Sequence, residues 1–305
     1  MADKTPPIPS LRNLDLRLIR VFAAVVRHRG FAAAQDELGI SASTISIHIR
    51  QLEDRLNVRL CDRGRKGFQM TEQGQIIYEA ALRLFRSLED FRGAAGSARG
   101  QLVGELHLGV VDAVATNTSL RLRQTIAEFS LVAPEVKINI DINSPQALHQ
   151  GLLEERYHMI LSPMLRHHDA VKYEHAFAET QQLYSGREHA LFKLSDQQVT
   201  KRVVADSMFA GRSYTLESKP PKKINFDQRA TVAHMESIAL MILSGKYIGY
   251  LPDHYAWQWE NTDEMRAILP KVYRYEDDFY LGHRVRESNR AALAFIEIAR
   301  REIIN

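Results

Sequence analysis

The residues of this 305-residue chain that could do chemistry fall into four groups. The first is basic: Arg63, Arg65 and Lys66 sit in a turn bracketed by Gly64 and Gly67, a short cationic loop that could meet phosphates. The second is a set of small or polar residues around the start of one helix, Ser41, Ala42, Ser43, Ser46, Ile47, His48 and Arg50. The third consists of hydroxyl, amide and charged residues that follow the expected strands: Asp112, Thr116, Asn117, Ser144, Ser162, Arg212, Ser213 and His234. Such residues hold small ligands at helix N-termini, and as helix caps they would look the same. The fourth is the histidines, among them His167-His168 and His175. Adjacent histidines point apart on an extended chain, and no His-x-x-x-His, Glu-x-x-His or cysteine cluster supports a metal. There is no Gly-x-Gly-x-x-Gly, Gly-x-x-x-x-Gly-Lys or Gly-x-Ser-x-Gly either, so neither cofactor, metal nor catalysis is expected.

The elements that must position these groups are legible from periodicity. Leu18, Ile19, Phe22, Val25 and Val26 make one apolar stripe of a helix that starts near Asp15 and ends at Gly30. A second helix is expected over Phe31–Leu38, then a Gly39-Ile40-Ser41 turn. A third helix, Ala42–Leu56, carries Ile45, Ile49, Leu52 and Leu56 on one face and is capped by Ser41. Two helices joined by a tight glycine turn form the helix-turn-helix pattern. Leu60–Met70 reads as a hairpin, and Thr71 as the cap of a helix over Glu72–Phe91. That helix has a stripe of Ile77, Ala81, Leu84, Leu88 and Phe91, with no core close in sequence, so a partner helix in a dimer is the expected cover. Gly93–Gly100 reads as a hinge.

Beyond Gly100 the texture becomes strand-helix alternation. Strands are expected at Glu105–Val111, Val136–Ile142, His158–Leu161, Gln182–Ser185, Arg202–Ala205, Tyr247–Leu251 and Phe279–His283. Helices are expected at Ser119–Leu131, Ala147–Glu154, His234–Ser244 and Asn289–Ile304. A βαβαβ unit of this kind implies a parallel sheet with helices packed on it. In such sheets ligands sit beyond the C-terminal ends of the strands, which is where the third group of residues falls.

Bulk properties agree. The length suits about two domains. A single cysteine, Cys61, excludes an internal disulfide, fits a reducing compartment, and reads as a small buried filler. Met1–Ser10 is polar and Pro-rich, and no apolar run approaches the roughly 18 residues of a membrane span, so a cytoplasmic protein without membrane contact is expected. Residues 1–66 hold 12 Lys/Arg against 7 Asp/Glu, so basic charge gathers at one end, as a nucleic-acid footprint would.

Across Leu16–Thr71 the sequence resembles the LysR-type transcriptional regulators. The resemblance is carried by Leu18, Phe22, Val25, Gly30-Phe31, Ala33-Ala34, Leu38, Ile40-Ser41, Ser46, Ile49, Leu52-Glu53, Leu56, Leu60, Arg63, Thr71 and Gly74. Later, Phe129, Pro134, Gly249 and Leu251-Pro252 sit where the family's second domain has them. The resemblance implies an N-terminal all-α winged helix-turn-helix (1–71), a linker and dimerisation helix with a hinge (72–100), and a C-terminal α/β two-lobed domain similar to periplasmic binding proteins (101–305). Lobe I would be about 101–171 with 272–305, and lobe II about 172–271. It also implies promoter DNA, a small-molecule effector and RNA polymerase as partners, and a homodimer or homotetramer. Ala42 and Ile47 depart from the family, which often has polar or basic side chains there; the apolar replacements point to contacts with thymine methyl groups. Asp112 would repel an anionic effector unless Arg212 neutralises it. A small-molecule binding protein without regulatory DNA binding is the alternative reading.

Overall fold

The computed structural model describes residues 13–64, 67–164, 166–214 and 224–304. It opens with three helices, α1 (Asn13–Arg27), α2 (Gln35–Leu38) and α3 (Ala42–Leu56). Leu18, Phe22 and Val25 of α1 close on Ile45, Ile49 and Leu52 of α3, all essentially inaccessible. The turn between α2 and α3 passes through Gly39 at φ +62°, a left-handed conformation that glycine adopts without strain. Helix α2 is shorter than expected: Phe31–Ala34 form a turn rather than its first half. The Phe31 ring is instead edge-on to Phe68, 6.0 Å away, a tertiary contact that overrides the local helical pattern.

The hairpin pairs β1 (Cys61–Gly64) with β2 (Gly67–Met70) in antiparallel register, Cys61 opposite Met70. Cys61 is buried in the same core as α1 and α3. Thr71 then caps α4 (Glu72–Ser97), its hydroxyl accepting from Gly74 N–H at 2.9 Å. The expected hinge at Gly93–Gly100 is helical as far as Ser97. Gly93 and Gly96 face Val103: a Cβ on Gly96 would lie 2.2 Å from Val103 Cγ2. Their smallness serves close packing, not bending.

The chain divides into two compact units, one ending at Glu89 and the other beginning at Asp90. The second unit continues with β3 (Val103–Val110), α5 (Leu122–Val132), β4 (Glu135–Ile142), α6 (Pro145–Leu153), β5 (Met159–Pro163) and β6 (Val171–Gly186). Then come α7 (Ala190–Lys193), α8 (Lys201–Ala205), β7 (Met208–Arg212), β8 (Asp227–Val232), α9 (Met235–Leu243), β9 (Ile248–Pro252) and α10 (Asp253–Glu260). The last elements are β10 (Met265–Ala267), β11 (Arg274–Arg284) and α11 (Arg290–Ala299), followed by a π-helical turn over Arg300–Ile304. Arg202–Ala205, expected as a strand, lies in helix α8. Thr200 caps that helix by accepting from Val203 N–H, and a run of three apolar residues, Val203–Ala205, does not distinguish the two states.

The strands form one sheet in the order β4-β3-β5-β11-β6-β9-β7-β8, with β10 added to β6. Pairing is parallel within β4-β3-β5 and within β9-β7-β8, and antiparallel wherever β6 or β11 takes part. The sheet thus consists of two parallel blocks joined through one pair of long strands. Each block has its own core. Phe177 and Phe279 stack within the first, 4.7 Å apart, while Tyr273 and Tyr275 pack in the second. Phe177 and Phe279 lie in the first core, and the same two long strands run on through Glu179 and Asp277 toward the second.

Candidate functional site

Two regions gather the candidate residues. The first is the outer face of α3. Its apolar side is fixed against the core, which leaves Ser43 and Arg50 exposed, Ile47 55% exposed and Ser46 partly so. Ser41 caps the helix, its hydroxyl accepting from Thr44 N–H at 3.2 Å and lying 2.8 Å from Ser43 Oγ. Ala42 is partly buried, and its N–H donates to Gln35 Oε1 at 2.9 Å. The helix N-terminus is thus already satisfied by its own neighbours, so what this face offers a partner is side chains. His48 is half-buried and its Nδ1 has no hydrogen-bond partner among the described residues. Burial first, and the nearby Arg17 second, hold its pKa below the usual imidazole value. His48 is therefore neutral at pH 7, and Arg50 is the exposed cation of this part of the helix. Arg65 and Lys66, and the side chain of Arg63, lie outside the described residues.

The stripe expected to wait for a partner helix is in part already covered. Ala81 is buried in the core of the first unit, with Ile77 and Leu84 packed against it. That core is close in space although remote in sequence. Leu88 is partly buried and Phe91 is 74% exposed.

The second region lies where the lobes meet, on the long strands. Glu179 of β6 and Asp277 of β11 are register partners, and both are almost fully buried. Two carboxylates placed opposite each other in a sheet repel, so each must be compensated. Asp277 takes Arg212 Nη1 at 3.1 Å, and Arg212 Nη2 donates to Gln181 Oε1 at 2.6 Å. Gln181 in turn donates to Glu179 Oε2 at 2.6 Å, and Glu179 Oε1 lies 2.9 Å from His254 Nε2. His254 Nδ1 is 2.8 Å from Thr116 Oγ1, which donates to the Ala113 carbonyl at 3.0 Å. With that donation made, the Thr116 hydroxyl oxygen is left to accept from His254 Nδ1. Burial raises the Glu179 pKa, His254 and Arg212 pull the other way, and Asp277 adds a smaller upward push. Tyr214 sits under the Arg212 guanidinium, 5.8 Å from its centre, and burial pushes its phenol up to about 12.

Asp112 does not have Arg212 as its counter-charge, as was expected. Its carboxylate accepts from Met235 N–H at the start of α9 and lies 3.8 Å from His234 Nδ1. Asp112 and Thr116 of the first lobe thus reach α9 and α10 of the second. Other expected ligand residues are occupied structurally. Asn117 Oδ1 accepts from Ser119 and Leu120 N–H, and Ser144 caps α6. Ser162 is buried and donates to the Pro163 carbonyl at 3.0 Å; Ser213 is exposed and pairs by its backbone with Val232. Sequence reasoning missed Glu179, Gln181, His254 and Asp277. The alternation of Glu179 and Gln181 on a strand flanked by Phe177 and Leu183 was the available signal.

Among the described residues no helix is long and apolar enough to cross a membrane, and no cluster of His, Cys, Asp or Glu could hold a metal.

Comparison with known proteins fits this arrangement. Residues 16–75 match the bacterial regulatory helix-turn-helix proteins of the lysR family, and residues 99–303 match the LysR substrate binding domain. The HTH-type transcriptional activator BauR of Pseudomonas aeruginosa is 33% identical over 273 residues, which is 89% of this chain and 90% of BauR. The structure of full-length CbnR complexed with its target DNA aligns with a TM-score of 0.66 at 18% identity, covering 94% of this chain and 99% of that one. The structure of ArgP from Mycobacterium tuberculosis aligns with a TM-score of 0.58 at 16% identity, covering 96% of this chain and 97% of that one. At such identities the structures speak for the fold. The chain belongs to the LysR family of bacterial transcription regulators. It is a DNA-binding regulator with a domain for a small-molecule effector, and the family is not one of enzymes.

Proposed function

We propose that α3 enters the major groove of promoter DNA, with Ser43, Ser46 and Ile47 toward base edges and Arg50 toward the backbone. The observation that carries this is the exposed face of α3, polar but for Ile47, on a helix locked by its opposite side into the core. Ser41 and Ala42 hold the start of the helix, and Arg63, Arg65 and Lys66 of the hairpin meet phosphates or the minor groove. The effector binds between the lobes, replacing the contacts of Asp112 with α9 and of Thr116 with His254. Arg212 Nε, buried and without a partner among the described residues, is a donor available to it. Ligand binding then shifts the population of lobe arrangements. Activation is the sense supported by the relative named a transcriptional activator, with RNA polymerase as the partner at the promoter.

The working boundaries are 1–71 for DNA binding, 72–100 for the linker helix and 101–305 for the effector domain. Assembly as a dimer or tetramer is supported by exposed Phe91 on α4. Exposed Ile140 and Ile142, on β4 at the edge of the sheet among the described residues, support it too. The working place of such a regulator is the cytoplasm.

The test is fluorescence anisotropy with the upstream region of the gene and a scrambled control across a salt series. Tighter binding to the genuine fragment, falling steeply with salt, is the expected result. Equal binding to both fragments at every salt concentration would count against α3 as a reader of this sequence.

A further inference from the structure

A cavity of about 520 Å³ lies in the first lobe between α6 and the segment that leads into β6. That size falls within the range of roughly 300–1,000 Å³ typical of small-molecule sites. Its wall contains three rings in series. The Tyr173 ring lies 5.8 Å from that of His149, tilted by 30°, and 5.8 Å from that of His167, tilted by 50°. Leu153 of α6 adds apolar surface. Flat rings with such spacing accept another flat ring in offset contact.

The hydrogen bonds of the histidines fix what each presents. His149 Nδ1 lies 2.8 Å from the Pro145 carbonyl, so that nitrogen bears the proton. Burial holds the pKa of His149 down despite this bond, which leaves Nε2 a bare acceptor. His168 has the opposite tautomer. Its Nδ1 accepts from Ala170 N–H at 3.1 Å, so Nε2 carries a proton and donates. Beside it stands Arg166, whose guanidinium has no carboxylate partner among the described residues. Asp169, an acid of the same wall, is fully exposed and 3.7 Å from His167 Nδ1. The cavity therefore offers a cation and a donor from the segment before β6, an acceptor from α6, and rings between them.

We propose that this cavity is a second ligand site, distinct from the inter-lobe cleft. It takes a small aromatic carboxylate with a hydroxyl or amino group at the far end of the ring. The carboxylate lies against Arg166 and His168, the ring against Tyr173, and the distal donor against His149 Nε2. The pattern does not suit a metal ion, since the two histidine nitrogens fixed by backbone bonds belong to opposite tautomers on different elements.

The test is isothermal titration calorimetry on the full chain with three matched probes. These are 4-hydroxyphenylacetate, phenylacetate, which lacks the donor, and tyrosol, which lacks the carboxylate. Affinity is expected in the order given. Arg166→Ala, on an exposed segment, should weaken 4-hydroxyphenylacetate about tenfold or more, as loss of a charge-assisted hydrogen bond does. His149→Phe keeps a ring but removes the acceptor, so it should reduce 4-hydroxyphenylacetate to the level of phenylacetate while leaving phenylacetate unchanged. Thr116→Val, a change in the cleft, should leave all three affinities unchanged. Absence of binding at millimolar probe would overturn the proposal. So would binding that Thr116→Val abolishes and Arg166→Ala and His149→Phe leave intact, since that would put the probe in the cleft.

Discussion

The two halves of this regulator each bury a carboxylate against an arginine, and they do so at very different sequence distances. In the first unit Asp15 of α1, 2% exposed, pairs with Arg55 of α3, 40 positions on. That pair clamps together two helices whose stripes are each visible in the sequence. In the second unit Asp277 pairs with Arg212 across 65 positions, and the network reaches Glu179–His254 across 75 and Thr116–His254 across 138. The first pair fastens elements that periodicity already defines. The second sits where the lobes meet, on strands whose alternation of polar residues does not reveal which residues they pair with.

The difference can be sharpened by breaking each pair alone. Both tryptophans, Trp257 and Trp259, lie in the second unit, so their fluorescence follows that unit selectively. Asp277→Ala leaves the Arg212 charge buried without its carboxylate, and should lower the stability of the second unit by about 3–5 kcal/mol. The check is the urea midpoint of tryptophan fluorescence. Arg55→Ala should act at the lower end of that range, about 3 kcal/mol, since Arg55 keeps some solvent contact. It should abolish DNA binding while the tryptophan midpoint stays put. A midpoint that moved with it would show that the halves do not unfold separately.

A finer probe is proton linkage at Glu179. Its folded pKa is raised, so the folded state holds that proton more tightly than the unfolded chain does. The resulting stabilisation is complete below the ordinary carboxylate value of 4.5 and is lost as pH rises through the higher folded value. Glu179→Gln should flatten that decline. Melting temperatures of both proteins from pH 4 to pH 8 decide it, and parallel curves would remove Glu179 from the account. Smallest is the effect on the DNA side. Replacing thymine by deoxyuridine in the half-sites removes methyl groups that Ile47 would meet. Each methyl lost should weaken binding about fourfold, near 0.8 kcal/mol. Anisotropy with matched duplexes measures it, and unchanged affinity would dismiss methyl contacts.

What could be read in advance follows the same division. Helix α3 and its cap Ser41 were legible because cap and stripe are both local. The candidate cleft was legible only in part. Asp112 and Arg212 stood out as charges following strands, but their partners could not be named, because pairing depends on β6 and β11 running antiparallel through both lobes. The start of β6 was missed for a different reason: Val171, Tyr173 and Phe177 do alternate with Lys172 and Glu174, but the segment is rich in charge and follows His167–Asp169, so it was not read as a strand. The misread strand at Arg202–Ala205 and the misread hinge at Gly93–Gly100 were errors of a third kind. Composition suggested one state and packing chose another.

The end of α4 carries one more consequence. Asp90, at the start of the second unit, accepts from Asn289 Nδ2 at 2.8 Å, and Gly93 and Gly96 are pressed against Val103. The helix is unbroken from Glu72 to Ser97, while the division between the units falls inside it. The last turns of the helix are thereby keyed into the sensing half. One residue inserted between Leu88 and Phe91 would turn Phe91 about 100° around the helix from the line of Leu84 and Leu88. Three or four inserted residues would nearly restore that alignment. Helical phase, more than length, would then decide whether Phe91 still lies on the stripe that begins at Ile77.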